Sequence, residues 1–179
     1  SFDTNHGTDD YLKIIEGKTA SLIKTSAKLG AMASGCKEET INSISKWAWH
    51  SGIIFQITDD ILDLSSDEKT LGKPSGNDII EGTYTLPVLI ALEKYPEKIN
   101  KILSDISENK VGVNEVINEF NNDEIISESK LFLKTHLEKS ESAAMEIDNK
   151  IVKNILLDIN RYLIAVSYTH LTLPTTSPV

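Results

Sequence analysis

The chain has 179 residues, of which 40% are hydrophobic, so it can bury a core of its own. Acidic residues outnumber basic ones by 27 to 18, and the formal charge of -9 argues against a nucleic-acid partner, which needs a clustered positive surface. No run approaches 18 apolar residues and the first ten residues do not resemble a signal peptide, so neither a transmembrane segment nor secretion is expected. A single cysteine, Cys36, excludes an internal disulfide and a multi-cysteine metal site. These features predict an acidic, cytoplasmic globular domain.

Helical periodicity dominates the first third of the chain. Residues 8–35 predict one long helix with inward positions at Leu12, Ile15, Thr19, Leu22, Ile23 and Ser26. Residues 37–64 predict a second helix, and its last two turns are apolar nearly all round, which is typical of a buried helix. Acidic residues inside such a helix require a reason, because burying an unpaired charge is unfavourable.

The rest of the chain predicts further helices around one irregular segment. Residues 65–84 contain several glycines and show no clear period, and loops of that length are usually functional or disordered. Short or amphipathic helices are expected over 85–95 and 97–121, and two more over 123–164. The predicted fold class is therefore all-α, with six or seven helices, and residues 1–165 are expected to form one domain.

The C-terminal segment differs from the rest in composition. The 18 residues after Arg161 contain no Asp, Glu, Lys or Arg, although 25% of the whole chain is charged. Residues 166–179 are therefore expected to be an atypical tail, disordered or foreign to the domain, and they are excluded from the prediction of the fold.

Three acids, Asp59, Asp60 and Asp63, lie in the sequence FQITDDILD near the end of the second predicted helix. Asp59 and Asp63 share a helix face, and Asp60 lies about 100° round from Asp59. Mutual repulsion, burial and the helix dipole all disfavour three negative charges here, and a bound cation would reverse these effects. Oxygen ligands without a nearby histidine or cysteine favour a hard ion such as Mg²⁺. A solvent-facing acidic patch is the alternative.

Positive residues flank these acids along the sequence. Lys18 and Thr19 fall in the first predicted helix, and Lys73 follows Gly72, ten residues after Asp63. Lysine is a compact charge suited to phosphate, and glycine allows a ligand to approach the backbone closely. Each lysine alone fits an ordinary surface residue, whereas the acids and the Gly-Lys loop together predict a site for a polyanion bound with a metal.

Three segments, KTASLIKTSAKLGA, FQITDDILD and LGKPSGNDIIEGTYTLPVLIALE, resemble the trans-isoprenyl diphosphate synthases in content and order. The similarity covers about residues 8–165 and is greatest to polyprenyl synthases of the heptaprenyl or octaprenyl type. It implies an isoprenoid synthase-type helical bundle and condensation of isopentenyl diphosphate with an allylic diphosphate to a polyprenyl diphosphate, assisted by Mg²⁺. Asp59, Asp60 and Asp63 would form the family's second metal-binding motif, with Asp59 as a direct ligand.

The resemblance also implies roles for residues outside the acidic motif. Lys18 and Lys73 would contact the allylic diphosphate. Thr19 and Gln56 would support that contact by hydrogen bonds, and Phe55 would line the pocket near the growing chain. A homodimer or heterodimer of the complete enzyme, and contact of its lipophilic product with a membrane surface, are implied by the resemblance alone.

Part of the family pattern is missing from this sequence. The family's first aspartate-rich motif, its neighbouring arginines and its residues for isopentenyl diphosphate precede the KT helix, and none is found here. The chain is therefore expected to be the C-terminal half of such an enzyme, truncated on the N-terminal side and nearly inactive alone. The alternative is a non-catalytic helical subunit, or a decayed paralogue, that pairs with another prenyl synthase chain; a terpene cyclase of similar fold fits less well. His50 and His136 are expected to be isolated.

Overall fold

The computed structural model describes residues 7–65 and 75–169, except for the side chains of residue 65 and residues 166–169. Every regular element in that part of the chain is helical, which confirms the predicted all-α class. None of these helices is both long and apolar enough to cross a membrane. The elements in chain order are α1 (Thr8–Ile15), a π-helical turn (Glu16–Ala20), α2 (Ser21–Ala33), α3 (Glu38–Ser65), α4 (Asn77–Ile80), α5 (Leu86–Lys94), α6 (Pro96–Ser107), α7 (Val113–Val116), a 3₁₀ turn (Ile117–Glu119), α8 (Asp123–Met145) and α9 (Lys150–Thr169).

Helix α3 is the central element, and α2, α5, α8 and α9 pack around it. In its second half Ile53, Ile54, Ile57 and Ile61 are fully buried, which confirms the burial predicted for these turns. Side chains from α1, α5, α6 and α8 complete the same apolar core. Removal of this apolar surface from water is the main term that stabilises the bundle.

The first predicted helix contains a π-helical turn, which changes the residues that face inward. The turn Glu16–Ala20 contains one residue more than an α-helical turn. The buried residue that follows Ile15 is therefore Ala20, five positions later. The inward positions predicted at Leu22 and Ser26 are therefore wrong. Leu22 is 67% exposed, and Ser26 is exposed as well.

The π-helical turn and α3 approach most closely at Ala20 and Gly52. A Cβ atom added to Gly52 would lie 2.7 Å from the Cα of Ala20, so the approach requires glycine. Gly30 on α2 contrasts with it, because an added Cβ there would meet no atom within 4 Å.

The segment predicted to be irregular contains the single helical turn α4. Gly76 precedes it with a φ of +74°, and its N–H donates to the carbonyl oxygen of Asp63 at 2.8 Å. A Cβ on Gly76 would lie 2.5 Å from Cγ1 of Val113. Glycine at this position therefore allows both the left-handed backbone and the close approach of Val113 on α7.

Polar contacts join the first half of α3 to the two C-terminal helices. The buried Ser51 hydroxyl donates to Oδ1 of Asn160 at 2.9 Å and lies 2.9 Å from Oγ of Ser140. His50 and His136, expected to be isolated, instead lie with their Nδ1 atoms 3.1 Å apart. The expectation is wrong because 86 positions separate the two residues in the sequence, and the packing of α8 on α3 brings them together.

Candidate functional site

A cavity of about 360 Å³ lies where α1 and the π-helical turn meet α3 and the segment that leads from α4 into α5. It brings together Lys18, Gln56, Asp59 and Asp60, four residues that the sequence predicts for one site. The lining consists of Tyr11, Ile14, Ile15, Lys18, Gln56, Asp59, Asp60, Asp78, Glu81, Thr83, Tyr84, Thr85 and Leu89.

Asp60 is the most enclosed acid of the site, with 3% of its surface exposed. Its Oδ2 accepts hydrogen bonds from the Tyr11 hydroxyl at 2.6 Å and the Leu86 N–H at 3.2 Å, and its Oδ1 accepts from Nε2 of Gln56 at 3.1 Å. Burial raises the pKa of Asp60 to about 6, although these three donors act in the opposite direction. Tyr11 is buried as well, and its burial, together with the charge of Asp60, raises the pKa of its hydroxyl.

Asp59 and Asp63 differ from Asp60 in their surroundings. Asp59 is exposed and lines the cavity. Asp63 is half-buried, and its Oδ2 accepts from the N–H of Asp78 at 3.3 Å. Burial and the charge of Asp78 raise the pKa of Asp63 to about 6. The carboxylate of Asp63 therefore interacts with the start of α4, which offsets its unfavourable place near the C-terminal end of α3.

The predicted KT pair lies within the π-helical turn. Lys18 is exposed and lines the cavity, and Thr19 donates from Oγ1 to Oε1 of Gln56 at 3.0 Å. Since Gln56 also donates to Asp60, these contacts connect the KT turn to the acidic motif. Lysine and acid are thus presented by two elements that are joined by hydrogen bonds.

Three predicted residues that the structure describes, Thr19, Asp63 and Phe55, are not part of the cavity lining. Phe55 is 48% exposed on α3 and is not part of the lining, so its role beside the growing chain stays a prediction. Lys73 lies outside the described residues, and its role also stays a prediction.

Several lining residues were not predicted from the sequence. Tyr11 lies seven residues before Lys18, which is about two helical turns, and that spacing could have indicated it. Asp78 and Glu81 follow the glycine-rich segment within DIIEG, where acids beside glycines are a usable signal. Thr85 has no local signal, because its place depends on how α5 packs.

The described lining carries more negative than positive charge. Asp59, Asp60, Asp78 and Glu81 are acidic, and Lys18 is the basic residue among the described lining side chains. Such a cavity would repel a diphosphate unless a cation compensated for the acids. The charge balance therefore favours a metal-assisted site for an anion over a site that binds an anion through lysine alone.

The donor set fits a hard divalent cation. Mg²⁺ is usually held by one or two carboxylates and keeps other positions for water and phosphate. Asp59 offers an exposed carboxylate at the cavity, and the buried Oγ1 of Thr85 has no hydrogen-bond partner among the described residues. No cluster of three histidine, cysteine, aspartate or glutamate side chains in the described part of the chain is arranged to hold a metal alone. Substrate oxygens would have to complete the coordination.

Residues 1–122 match the sequence model of the family described as polyprenyl synthetase. The chain belongs to the polyprenyl synthetase family. This membership confirms the resemblance that the three sequence segments indicate. The share of the chain that matches includes the KT turn, the acidic motif and the segment from α4 to α5.

Two curated relatives show which proteins this chain is similar to. Heptaprenyl diphosphate synthase component 2 from Bacillus subtilis is 33% identical over 153 residues, which is 86% of this chain and 44% of that protein. A prenyl transferase from Synechocystis is 44% identical over 95 residues, covering 53% of this chain and 29% of the relative. The chain thus spans less than half the length of these two curated relatives.

Solved structures support the same family fold. Heptaprenyl diphosphate synthase from Staphylococcus aureus superposes with a TM-score of 0.82 and 30% identity, over 92% of this chain and 52% of that one. Geranylgeranyl pyrophosphate synthetase from Pyrococcus horikoshii superposes with a TM-score of 0.77 and 32% identity, over 90% of this chain and 50% of that one. The predicted isoprenoid synthase-type bundle is therefore confirmed.

Proposed function

We propose that this chain provides the Mg²⁺-dependent diphosphate-binding half of a prenyltransferase site. The complete site would condense isopentenyl diphosphate with an allylic diphosphate to a polyprenyl diphosphate. The observation that carries the proposal is the convergence of Lys18 and Asp59 on one cavity whose other charged lining residues are acidic. A cytoplasmic location and contact of the product with a membrane surface accompany the proposal as expectations from composition and family.

Each residue has a defined part in this proposal. Asp59 would hold Mg²⁺, with Asp63 and Asp60 behind it. Lys18 would bind the diphosphate oxygens, and Lys73 would do so from the loop after α3. When bound, Mg²⁺ stabilises the negative charge that develops on the departing diphosphate. Lys18 would stabilise the same charge with its ammonium group, without a proton transfer.

The proposed activity requires more than this chain. One aspartate-rich motif of the DDxxD type occurs in the 179 residues, and the family pattern that the sequence resembles has two. The Bacillus relative is named component 2, which favours an assembly with a second chain. We therefore expect no product when the isolated chain is given Mg²⁺ and both diphosphates. Measurable chain elongation by the purified chain would contradict this part of the proposal.

Diphosphate binding is the direct test on the chain itself. Titration calorimetry with inorganic pyrophosphate should give binding that requires Mg²⁺. Asp59→Asn and Lys18→Ala should each weaken the affinity about tenfold or more, since each removes a charge that would contact the ligand or its metal.

Two matched controls are available on the surface. Asp158→Asn alters an exposed acid paired with Arg161 on α9, and Lys28→Ala alters an exposed lysine on α2; neither lines the cavity. Both controls should bind like the parent chain. Equal affinity with and without Mg²⁺, or equal losses in the controls, would contradict the proposed function.

A further inference from the structure

We propose that Tyr11 is a positioning residue of this site: through its hydroxyl it holds Asp60, and through Asp60 it fixes where α3 presents Asp59 to the cavity. The inference rests on the proposed function, because it assigns a second layer to the same diphosphate-binding site. Tyr11 lies on α1 and is 5% exposed, so its hydroxyl is withdrawn from bulk water.

Hydrogen bonds to Asp60 join three helices. Its carboxylate receives donors from three different elements: Tyr11 on α1, Gln56 on α3 itself and the Leu86 N–H at the start of α5. The tyrosine bond is the shortest of the three, at 2.6 Å. A buried carboxylate with this set of donors acts as a junction between elements, since losing one donor leaves a poorly solvated charge.

Asp59 is the next residue before Asp60 on α3, so a shift or rotation of α3 that breaks the Tyr11–Asp60 bond also moves the Asp59 carboxylate. Lys18 lies on the continuation of the segment that carries Tyr11. The Tyr11–Asp60 bond therefore sets the position of the acid relative to the lysine.

A second hydrogen bond, from Thr19 to Gln56, also joins the segment of α1 and the π-helical turn to α3. Thr19, next to Lys18, donates to Gln56, and Gln56 donates to Asp60. Lys18 thus lies between two attachment points to α3, at Tyr11 and at Thr19. If the Tyr11 hydroxyl is removed, the segment keeps its apolar packing on α3 but loses one of these two hydrogen-bonded connections. The positions of Lys18 and Asp59 relative to each other are then less closely defined.

Asp60 also connects Tyr11 and Gln56 to the start of α5. The Leu86 N–H, from which Asp60 accepts, follows Thr85, a lining residue whose hydroxyl is buried. Tyr11, Asp60 and the start of α5 are therefore held as one unit. The expected consequence of losing the Tyr11 hydroxyl is a less ordered metal and diphosphate site in a chain that still folds, because the aromatic ring remains in the core.

The test is Mg²⁺-dependent binding of inorganic pyrophosphate to the 179-residue chain carrying Tyr11→Phe. Binding should weaken about tenfold or more, as expected when a residue that orients a metal ligand is changed. Tyr95→Phe is the matched control: its hydroxyl also donates to a carboxylate, that of Glu124, on an exposed surface away from the cavity. Ile125→Val, in the fully buried core, controls for lost stability alone.

A double variant separates positioning from a general structural effect. If Tyr11 acts through Asp60, Tyr11→Phe should cause no further loss of pyrophosphate affinity in an Asp60→Ala background, which has no side-chain oxygen to accept from the Tyr11 hydroxyl. Urea unfolding of every variant shows that binding was measured on folded protein. The same substitutions in a Gly30→Ala background, which should stabilise α2 at an open position, provide folded samples if Tyr11→Phe alone is too unstable.

The outcomes distinguish this inference from the proposed function. A tenfold loss in Tyr11→Phe, with normal binding in Tyr95→Phe and Ile125→Val, supports the positioning role. Parent-like binding by Tyr11→Phe, an equal loss in Ile125→Val, or a full further loss in the Asp60→Ala background overturns it and leaves the proposed function standing. Absence of Mg²⁺-dependent binding in the parent chain overturns the proposed function, and the positioning role with it.

Discussion

Asp59 and Asp60 are neighbours in the sequence, yet α3 presents them to different surroundings. Asp59 is exposed at the cavity, whereas Asp60 is 3% exposed and accepts three hydrogen bonds. The sequence pattern predicts one metal-binding motif and cannot distinguish these environments. Adjacent acids on a half-buried helix can therefore serve different purposes, one toward the ligand and one toward the fold.

Stability measurements should separate the two acids. Asp60→Asn should lower the free energy of unfolding by about 1–3 kcal/mol, because the amide nitrogen of Asn cannot accept a hydrogen bond and would leave a buried donor without its partner. Asp59→Asn should stay within about 0.5 kcal/mol of the parent chain, as expected for an exposed position. Urea denaturation at neutral pH, without metal, measures both. Equal effects of the two substitutions would contradict the different surroundings described for these acids.

The pair of His50 and His136 predicts a pH dependence of stability. Burial lowers the pKa of His136 to about 4, and the charges of His50 and Lys139 add to this effect; burial also lowers the pKa of His50. Because an unfolded histidine titrates near 6.5, the unfolded chain binds protons that the folded chain does not as the pH falls from about 6.5 toward 4. The histidines therefore reduce stability over that window.

Asp60 and Asp63 act in the opposite direction over part of the same window. Their pKa values are raised to about 6, so the folded chain binds protons more readily than the unfolded chain as the pH falls below that value. His136→Gln removes one destabilising contribution and keeps both acids. We expect the free energy of unfolding, measured by urea denaturation, to change more favourably in the variant than in the parent chain when the pH is lowered from 7 to 5. Lys134→Gln, an exposed change on α8, is the control, and identical pH profiles for the parent and His136→Gln would contradict the pairing.

At the scale of elements, glycine decides how closely the π-helical turn and α3 approach. Gly52→Ala should destabilise the chain by about 1–3 kcal/mol, since the new Cβ would lie 2.7 Å from the backbone of Ala20 and force the elements apart. Gly30→Ala should instead stabilise it by about 0.4–1 kcal/mol at an open helical position. Thermal unfolding of the two variants gives the comparison. Stabilisation by both would show that the close approach does not exist.

The sequence predicts those elements well whose signal is local. The helix predicted over 37–64 corresponds to α3, Glu38–Ser65, and the break predicted near residue 148 lies between α8 and α9. Helical periodicity and burial are sufficient for these features. The prediction that Asp59, Lys18 and Gln56 share a site depends on the resemblance to a family, since periodicity alone does not bring residues of different helices together.

Features set by contacts between distant residues could not be predicted in this way. The π-helical turn is accompanied by the Thr19–Gln56 hydrogen bond and the contact of Ala20 with Gly52, and its extra residue explains why Leu22 was wrongly placed inside. The single turn α4 depends on contacts with Asp63 that span more than ten residues. Tertiary packing overrides local pattern in both cases.

At the scale of the whole molecule, two apolar surfaces are exposed. Leu22, Leu29 and Met32 are 67%, 59% and 52% exposed on α2. On α9, Ile151, Ile155, Ile159 and Tyr162 follow helical spacing and are 73%, 53%, 39% and 71% exposed. Exposed apolar side chains along one helix favour association, so the isolated chain is expected to be poorly soluble or to self-associate.

Charge substitutions should show which surface causes that association. In sedimentation velocity, the parent chain should form larger species as its concentration rises. Leu22→Lys combined with Leu29→Glu, and separately Ile155→Glu, should each reduce the association of the surface they alter, because a charge is unfavourable in an apolar contact. Both changes lie at exposed positions and should leave the helical content unchanged. A parent chain that stays monomeric and unfolds in one sharp thermal transition would contradict the prediction.

The central claim is that the KT turn and the acidic motif together hold a metal-bound diphosphate. The most direct measurement is anomalous diffraction from crystals grown with Mn²⁺, a replacement for Mg²⁺ at oxygen ligands, and inorganic pyrophosphate. The account predicts a Mn²⁺ peak within coordination distance of the Asp59 carboxylate and pyrophosphate oxygens beside the Lys18 ammonium group. Metal and pyrophosphate bound away from this cavity, or a cavity that binds neither, would contradict it.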